Sequence, residues 1–214
     1  MIPSCIMKGR YFILNSKKIF SKALLTSLFL TVLISQINFQ AECESISSRV
    51  LRLHIIAHSD SEDDQQLKLK VRDFILQKSE NLFRNAKSKE EAEHIVENNL
   101  SQIISDTQNY VYRSGYTYQI SGALKHNVYF NTRVYDKFTL PAEKYDALQI
   151  KIGQGRGHNW WCVMFPPMCF SAAEESGDLS DVLSEEQLSI TENGDKYEYK
   201  FKIAEWYQML ENWF

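Results

Sequence analysis

One stretch of the sequence, GQGRGHNWWCVMFPPMCF at residues 153–170, combines residue types that act in catalysis with types that bind partners. Its glycines would let backbone N–H groups approach an anion, as in a phosphate-binding loop. Cys162 lies close to His158 and could form a reactive thiolate. The arginine and the two tryptophans belong to types that dominate binding hot spots. Phosphate binding, nucleophilic catalysis and partner recognition are therefore the three chemistries to weigh.

The common catalytic and nucleotide-binding patterns are missing from the sequence. The segment GQGRG departs from both G-x-G-x-x-G and G-x-x-x-x-G-K-[ST], so it does not predict a phosphate loop. The patterns G-x-S-x-G, H-E-x-x-H and C-x-x-C are also absent. We therefore predict no catalytic residue, no cofactor and no enzymatic activity.

His54 and His58, with Asp60 nearby, invite a metal-site hypothesis. On a strand, residues four apart are separated by about 13 Å, which is too far for one ion to bind both without other ligands. The acidic run DSEDD lacks the central glycine and the distal glutamate of a calcium loop. The pattern favours strand-face histidines followed by a helix start, and no metal site is predicted.

Cys162 and Cys169 are the two cysteines after residue 43, and in an exported chain such a pair favours a disulfide. The Pro-Pro pair between them predicts a reversal that could bring the two thiols together. The alternative is that Cys162 is a free nucleophile paired with a histidine. Its apolar neighbours would raise the pKa of the thiol, which favours the disulfide.

The remaining interpretation is a glycine-flexed loop that presents side chains to a partner. The predicted partner-binding residues are Arg156, His158, Asn159, Trp160 and Trp161. Because neighbouring residues of an extended chain point to opposite faces, we expect one of the two tryptophans to be buried and the other partly exposed.

The N-terminal region has the features of an export signal. Five basic residues precede an uncharged apolar run at residues 23–37, ALLTSLFLTVLISQI. This run is short for a bilayer-spanning helix, which favours cleavage, although retention as a tilted anchor stays open. We predict a secretory signal or N-terminal anchor at residues 1–43 and one globular signalling domain at residues 44–214.

The charge of the predicted domain restricts its partners. Residues 44–214 contain 19 basic and 26 acidic residues, a net charge of −7. Such a surface disfavours nucleic acid and anionic membranes as main partners. We predict no nucleic-acid binding, and membrane contact only through the N-terminal leader.

The elements that would position the loop follow from the apolar pattern. A strand is predicted at residues 49–59, then two capped amphipathic helices between residues 62 and 113. Segments 116–124 and 127–136 predict a hairpin that turns at Lys125 and His126. Further strands are predicted at 145–153 and in the alternating KYEYKFKI (196–203), followed by a C-terminal helix. The predicted fold is α+β, with a mostly antiparallel sheet and two helices inserted after the first strand.

Two stretches carry a resemblance to a known family. RLHIIAHSDSEDDQQLKLKVRDFIL (52–76) and GQGRGHNWWCVMFPPMCF (153–170) resemble the signature segments of stage II sporulation protein R of endospore-forming bacteria. LPAEKYDALQIKIG (140–153) is a weaker match, and the resemblance covers residues 49–170. His58 departs from the family, which usually has Asn at that position.

The resemblance implies a signalling role. Such proteins are made in the forespore and exported into the space between the forespore and mother-cell membranes. There they activate a septum-embedded aspartic protease that cleaves the sigma-E precursor. Two alternatives stay open: a Cys/His hydrolase of the intermembrane space that acts on peptidoglycan, and a purely structural septal component.

Overall fold

The computed structural model describes residues 5–135, 138–166 and 179–211 of the chain. The chain divides into two units, Met1–Ala41 and Glu42–Phe214. Helix α1 (Cys5–Ser47) runs through the first unit, and its last turns, from Glu42, belong to the second. The part from Lys18 to Ser47 is long and apolar enough to cross a membrane, a property that N-terminal signal sequences share. The roles assigned to residues 1–43 and 44–214 stay predictions.

The second unit contains a four-stranded mixed sheet of order β2-β5-β1-β6. Strands β1 and β5 are parallel, whereas the β2–β5 and β1–β6 pairs are antiparallel. This confirms the α+β class and the mostly antiparallel sheet. The elements are β1 (Leu51–Ile56), α2 (Glu62–Phe83), α3 (Lys89–Arg113), β2 (Ile120–Phe130), β3 (Arg133–Val134), β4 (Thr139–Leu140), β5 (Glu143–Ile152), β6 (Asn159–Phe165), a 3-10 turn (Leu179–Asp181), α4 (Glu185–Glu192) and α5 (Gly194–Glu211).

Helices α2 and α3 start where the capping residues predicted them. The Ser61 side chain accepts a hydrogen bond from the backbone N–H of Asp64, and Ser88 does the same for Glu91. The two helices cover one face of the sheet. The buried core between them includes Leu53, Ile55, Leu67, Val71, Val96, Leu148, Ile150, Cys162 and Met164. This packing fixes β1 and β6 against α2.

The other face of the sheet carries a cross-strand row of four residues. In the register of the strands, Ala123 lies beside Gln149, Gln149 beside His54, and His54 beside Trp161. Because alternate residues point to opposite faces, these side chains face away from α2 and α3. Lys151 and Asn159, one row further toward the loop after β5, are exposed on the same face.

The predicted hairpin at Lys125 and His126 is wrong, because β2 runs without reversal from Ile120 to Phe130. The register between β2 and β5 shifts between Lys125 and Val128. Asn127 has a positive φ of 55°, which Asn tolerates, and its N–H donates to Asp146 Oδ1 at 3.0 Å. A β-bulge therefore accommodates the polar residues whose sequence pattern is typical of a turn.

The strand predicted at KYEYKFKI is also wrong, because these residues form the first half of α5. Alternation would give Tyr199 and Phe201 the same environment, but Tyr199 is 62% exposed and Phe201 only 3%. Phe201 and Ala204 are buried at helical spacing, and the alternating Lys and Glu residues are good helix formers. Tertiary packing decides between the two patterns here. The predicted C-terminal helix is present but begins earlier.

Candidate functional site

Two segments that are far apart in the sequence meet at one edge of the sheet. Since β1 and β5 are parallel, with Ile56 beside Lys151, their carboxyl ends lie at the same edge. The segment after β1 (residues 57–61) therefore faces the loop between β5 and β6 (residues 153–158). We call these two segments together the junction.

Backbone hydrogen bonds hold the junction together. The N–H of Gly157 donates to the carbonyl of Ala57 at 3.0 Å, and the N–H of Arg156 donates to the carbonyl of His58 at 3.2 Å. The N–H of Gln154 donates to His58 Nδ1 at 3.0 Å. The loop is thus fixed along its length, and His58 supports it as a hydrogen-bond acceptor.

Two glycines of the loop are required by this close approach. A Cβ atom at Gly157 would lie 2.1 Å from the carbonyl oxygen of Ser59, which is backbone. A Cβ atom at Gly153, where φ is +54°, would lie 2.2 Å from His58 Nδ1. The glycines therefore serve packing between the two segments, and their spacing does not describe a phosphate cradle.

Asp60 and Lys68 fix the far end of the loop. Asp60 Oδ1 accepts the backbone N–H of His158 at 2.6 Å and contacts its ring Nδ1 at 2.5 Å. The backbone hydrogen bond from His158 lowers the pKa of the Asp60 carboxyl. The buried Lys68 donates to the carbonyl of His158 at 3.1 Å, and burial lowers the pKa of this lysine. Sequence reasoning missed Lys68, whose spacing in α2 resembles that of an ordinary surface residue.

The predicted partner-binding residues fall into two groups. Arg156, His158 and Asn159 are exposed. Both Trp160 and Trp161 are half-buried, so the expectation of one buried and one partly exposed tryptophan is wrong. The two rings do point to opposite faces of β6, and each is covered only in part because β6 is an edge strand.

Different side chains pack against the two tryptophans. The Arg72 guanidinium of α2 lies 4.5 Å from the centre of the Trp160 ring. Trp161 stacks on His54 with 3.7 Å between ring centres and meets Phe130 edge to face at 4.5 Å. Trp160 therefore belongs to the helix-covered face, and Trp161 shares the opposite face with Asn159.

His54 fixes the orientation of the Asn159 side chain on this opposite face. The amide of Gln149 donates to His54 Nδ1 at 3.0 Å, so the proton lies on Nε2, which is 3.1 Å from Asn159 Oδ1. Burial lowers the pKa of His54, which keeps the ring neutral. The chain Gln149–His54–Asn159 thus sets the direction of the Asn159 amide. The alternation of β1 placed His54 on this face, but nothing local indicated its partners.

Arg52 lies two residues before His54 on the same face of β1, is fully buried and binds the backbone of β6. Its Nε donates to the carbonyl of Cys162 at 3.0 Å, its Nη2 donates to the Tyr135 hydroxyl at 2.8 Å, and its guanidinium lies 4.4 Å from the Phe130 ring centre. Burial lowers the pKa of Arg52. Within residues 5–135, 138–166 and 179–211 no carboxylate pairs with it. These contacts indicate a structural role.

Cys162 is buried and disulfide-bonded. Cys169 lies outside the described residues, so the pairing of these two cysteines stays a prediction. A cysteine that forms a disulfide has no free thiol and supplies no thiolate. The Cys/His nucleophile hypothesis therefore has no support from this geometry.

A second cluster, Glu93, His126 and Asp146, brings three possible metal ligands within 4.8 Å of one another. An ammonium group already occupies the cluster, because Lys89 pairs with Asp146 and lies 3.3 Å from Glu93 Oε1. Burial raises the pKa of Glu93, and the neighbouring Asp146 adds to that effect. Lys89 thus supplies a positive charge to both carboxylates, and the cluster links α3 to the start of β5.

Comparison with known proteins relates these features to one family. The model of the family described as Stage II sporulation protein R matches residues 47–175, which include both segments of the junction. A protein of Bacillus subtilis (strain 168) named Stage II sporulation protein R is 33% identical over 182 residues. This similarity covers 75% of the chain and 81% of that relative. No solved structure matches the chain.

Proposed function

The chain belongs to the stage II sporulation protein R family, and we propose that it is an exported signal that activates a membrane-embedded aspartic protease. The family name assigns the chain a role in sporulation. In the proposed pathway the protein is made in the forespore and exported into the space between the two membranes. The activated protease then cleaves the sigma-E precursor in the mother cell.

The observation that carries this proposal is that both signature segments meet in one structure, the junction. Backbone groups of the two segments bind each other, whereas the side chains of Arg156 and Asn159 are exposed. An interface needs such exposed polar groups around an apolar anchor, and the half-buried Trp161 supplies the anchor. We name Arg156, His158, Asn159 and Trp161 the junction surface.

The fixed loop also suits an activator. A ligand shifts a protease toward its active arrangement only by the difference between its affinities for the active and inactive states. A loop that is already ordered loses little conformational entropy on binding, so more of the contact energy is left for that difference. The guanidinium of Arg156 and the amide of Asn159 suit carboxylates and carbonyls on the extracytoplasmic side of the protease.

Co-expression of the full chain with the protease and the sigma-E precursor tests the proposal. An immunoblot for the processed sigma factor reads the outcome. We expect processing with the complete chain and its loss when residues 1–43 are deleted, because export fails. Processing that is equally strong without residues 1–43 would contradict an exported signal.

A Cys162→Ser variant in the same assay separates the signal from the Cys/His hydrolase. Loss of a disulfide affects stability, and a Cys169→Ser variant should then have the same effect. A nucleophile would be lost only with Cys162. Equal effects of the two variants are expected, and an effect confined to Cys162 would support the hydrolase.

A further inference from the structure

Helix α5 exposes a row of large apolar side chains on the side that faces solvent. Tyr199 is 62% exposed, Ile203 46%, Trp206 73% and Met209 56%. Surface helices of globular proteins ordinarily place charged or polar residues on this side. A row of this size and composition indicates a surface that a membrane or another molecule covers.

The spacing places these residues on one face. At about 100° per residue, Tyr199, Ile203 and Trp206 lie within roughly 60° of one another around the helix, and Met209 continues the row. Phe201 and Ala204 point the other way and are 3% and 0% exposed, so that side holds α5 against the rest of the second unit. We call the row Tyr199, Ile203, Trp206 and Met209 the outer face of α5.

Charged residues lie beside and within the outer face. By the same helical geometry, Lys196 lies about 60° to one side of Tyr199. Lys202 lies about 60° to the other side, between Trp206 and Met209, and the exposed Asp195 lies about 40° to that side. Both lysines are exposed; Lys202 also pairs with Glu198 at 3.1 Å, a contact that is open to solvent. Long lysine stems can lie along an apolar surface while their ammonium groups reach into water or toward phosphate.

This combination fits the boundary of a lipid bilayer. Trp and Tyr concentrate at the level of the lipid headgroups, and flanking lysines interact with lipid phosphates. The same chain contains a segment, Lys18–Ser47, that is apolar enough to cross a membrane. A chain that reaches the membrane through this segment would bring the second unit to the bilayer surface, where an apolar helix face can be covered.

We propose that the outer face of α5 docks on the lipid bilayer, with Trp206 and Ile203 inserted at the headgroup level. This extends membrane contact beyond the leader, to which the sequence-based expectation confined it, and it does not depend on the proposed protease partner. The net negative charge of the unit makes apolar insertion the main source of binding, with the lysines secondary. Docking would hold the second unit at the membrane after loss of the leader.

Brominated lipids test the proposal, because they quench tryptophan only at close range within the bilayer. The full chain is reconstituted in vesicles of phosphatidylcholine and phosphatidylglycerol, with and without bromine on the acyl chains. The quenched emission is compared between the natural sequence and the Trp206→Phe variant, which keeps the apolar character of the face. Trp160→Phe is the matched control, because Trp160 is half-buried and covered by Arg72 of α2.

We expect bromine-dependent quenching to fall by more than half in Trp206→Phe and by less in Trp160→Phe. Ile203→Glu should also reduce the quenching of Trp206, because a carboxylate on this face opposes insertion. Equal quenching of the natural chain and Trp206→Phe would overturn the proposal. Protection of Trp206 from quenching that increases with the ratio of protein to lipid would also overturn the proposal, because a second copy of the chain would then cover the face.

Discussion

The two ends of strand β5 use polar residues in opposite ways. At the end that leads into the loop, backbone groups bind each other and leave Arg156 and Asn159 exposed. At the beginning, Asp146 and Lys89 bind each other with only 16% and 11% of their side chains exposed. The two ends lie about 20 Å apart. The difference indicates that the first end is available for recognition, whereas the second is committed to stability.

The largest expected effect comes from a side chain at Gly157. Gly157→Ala should lower the free energy of unfolding by about 3 kcal/mol, because the new Cβ would meet the Ser59 carbonyl at 2.1 Å. Urea unfolding of the purified chain, followed by tryptophan fluorescence, measures this. Gly115→Ala is the control: Gly115 has φ +88° but no atom within 4 Å of the added Cβ, so about 1 kcal/mol is expected. Equal losses would mean that the junction is loosely packed.

The opposite end should affect stability without affecting signalling. Asp146→Asn keeps the acceptor for the Asn127 N–H but removes the ionic partner of Lys89. We expect a loss of about 1.5 kcal/mol in unfolding free energy. Processing of the sigma-E precursor by the variant that folds should be unchanged. A variant with normal stability that fails in processing would reverse the assignment of the two ends.

A smaller effect is expected at Lys68, the buried lysine of α2 that binds the junction. Lys68→Met keeps the packing of the stem and removes the hydrogen bond to the carbonyl of His158. We expect a local loss of about 1 kcal/mol, because that carbonyl can bind water instead. Hydrogen exchange should then be faster at residues 156–159 and unchanged at residues 144–150. Equally faster exchange in both ranges would indicate that the whole unit is destabilised and would contradict a local role for Lys68.

The two ends should also respond to pH with opposite sign. The Asp60 pKa is lowered from 3.8, so its contribution is present above pH 3.8 and is lost as the pH falls through the lower, folded value. The Glu93 pKa is raised from 4.5, so the folded state binds the extra proton and stability falls as the pH rises from 4.5 through the higher, folded value. Asp60→Asn should flatten the acid limb, and Glu93→Gln should flatten the decline above pH 4.5. Hydrogen exchange near each residue across pH 3 to 7 measures both, and slopes of the same sign would contradict this account.

Local signals in the sequence were sufficient for part of this structure. The caps at Ser61 and Ser88 place two helices because capping depends on neighbouring residues. The alternation in β1 gives its buried face for the same reason. The junction could not be derived in this way, because residues 57–60 meet residues 153–158 only through the parallel pairing of β1 with β5.

The wrong expectations have the same origin. The bulge at Asn127 depends on Asp146, which lies 19 positions away, so the local pattern resembled a turn. The alternation in KYEYKFKI gave way to the packing of Phe201 and Ala204. The half-burial of both tryptophans depends on the position of β6 at the edge of the sheet, which no local pattern indicates. In each case a distant contact decided the outcome.

The junction surface is tested most directly by the double variant Arg156→Ala/Asn159→Ala in the co-expression assay. Both side chains are exposed, so the variant should fold and be exported at the natural level. Arg84→Ala, an exposed arginine at the other end of α2, is the matched control. We predict at least a tenfold loss of sigma-E precursor processing in the double variant and none in the control. Full processing by an exported, folded double variant would contradict the claim that the junction surface carries the signal.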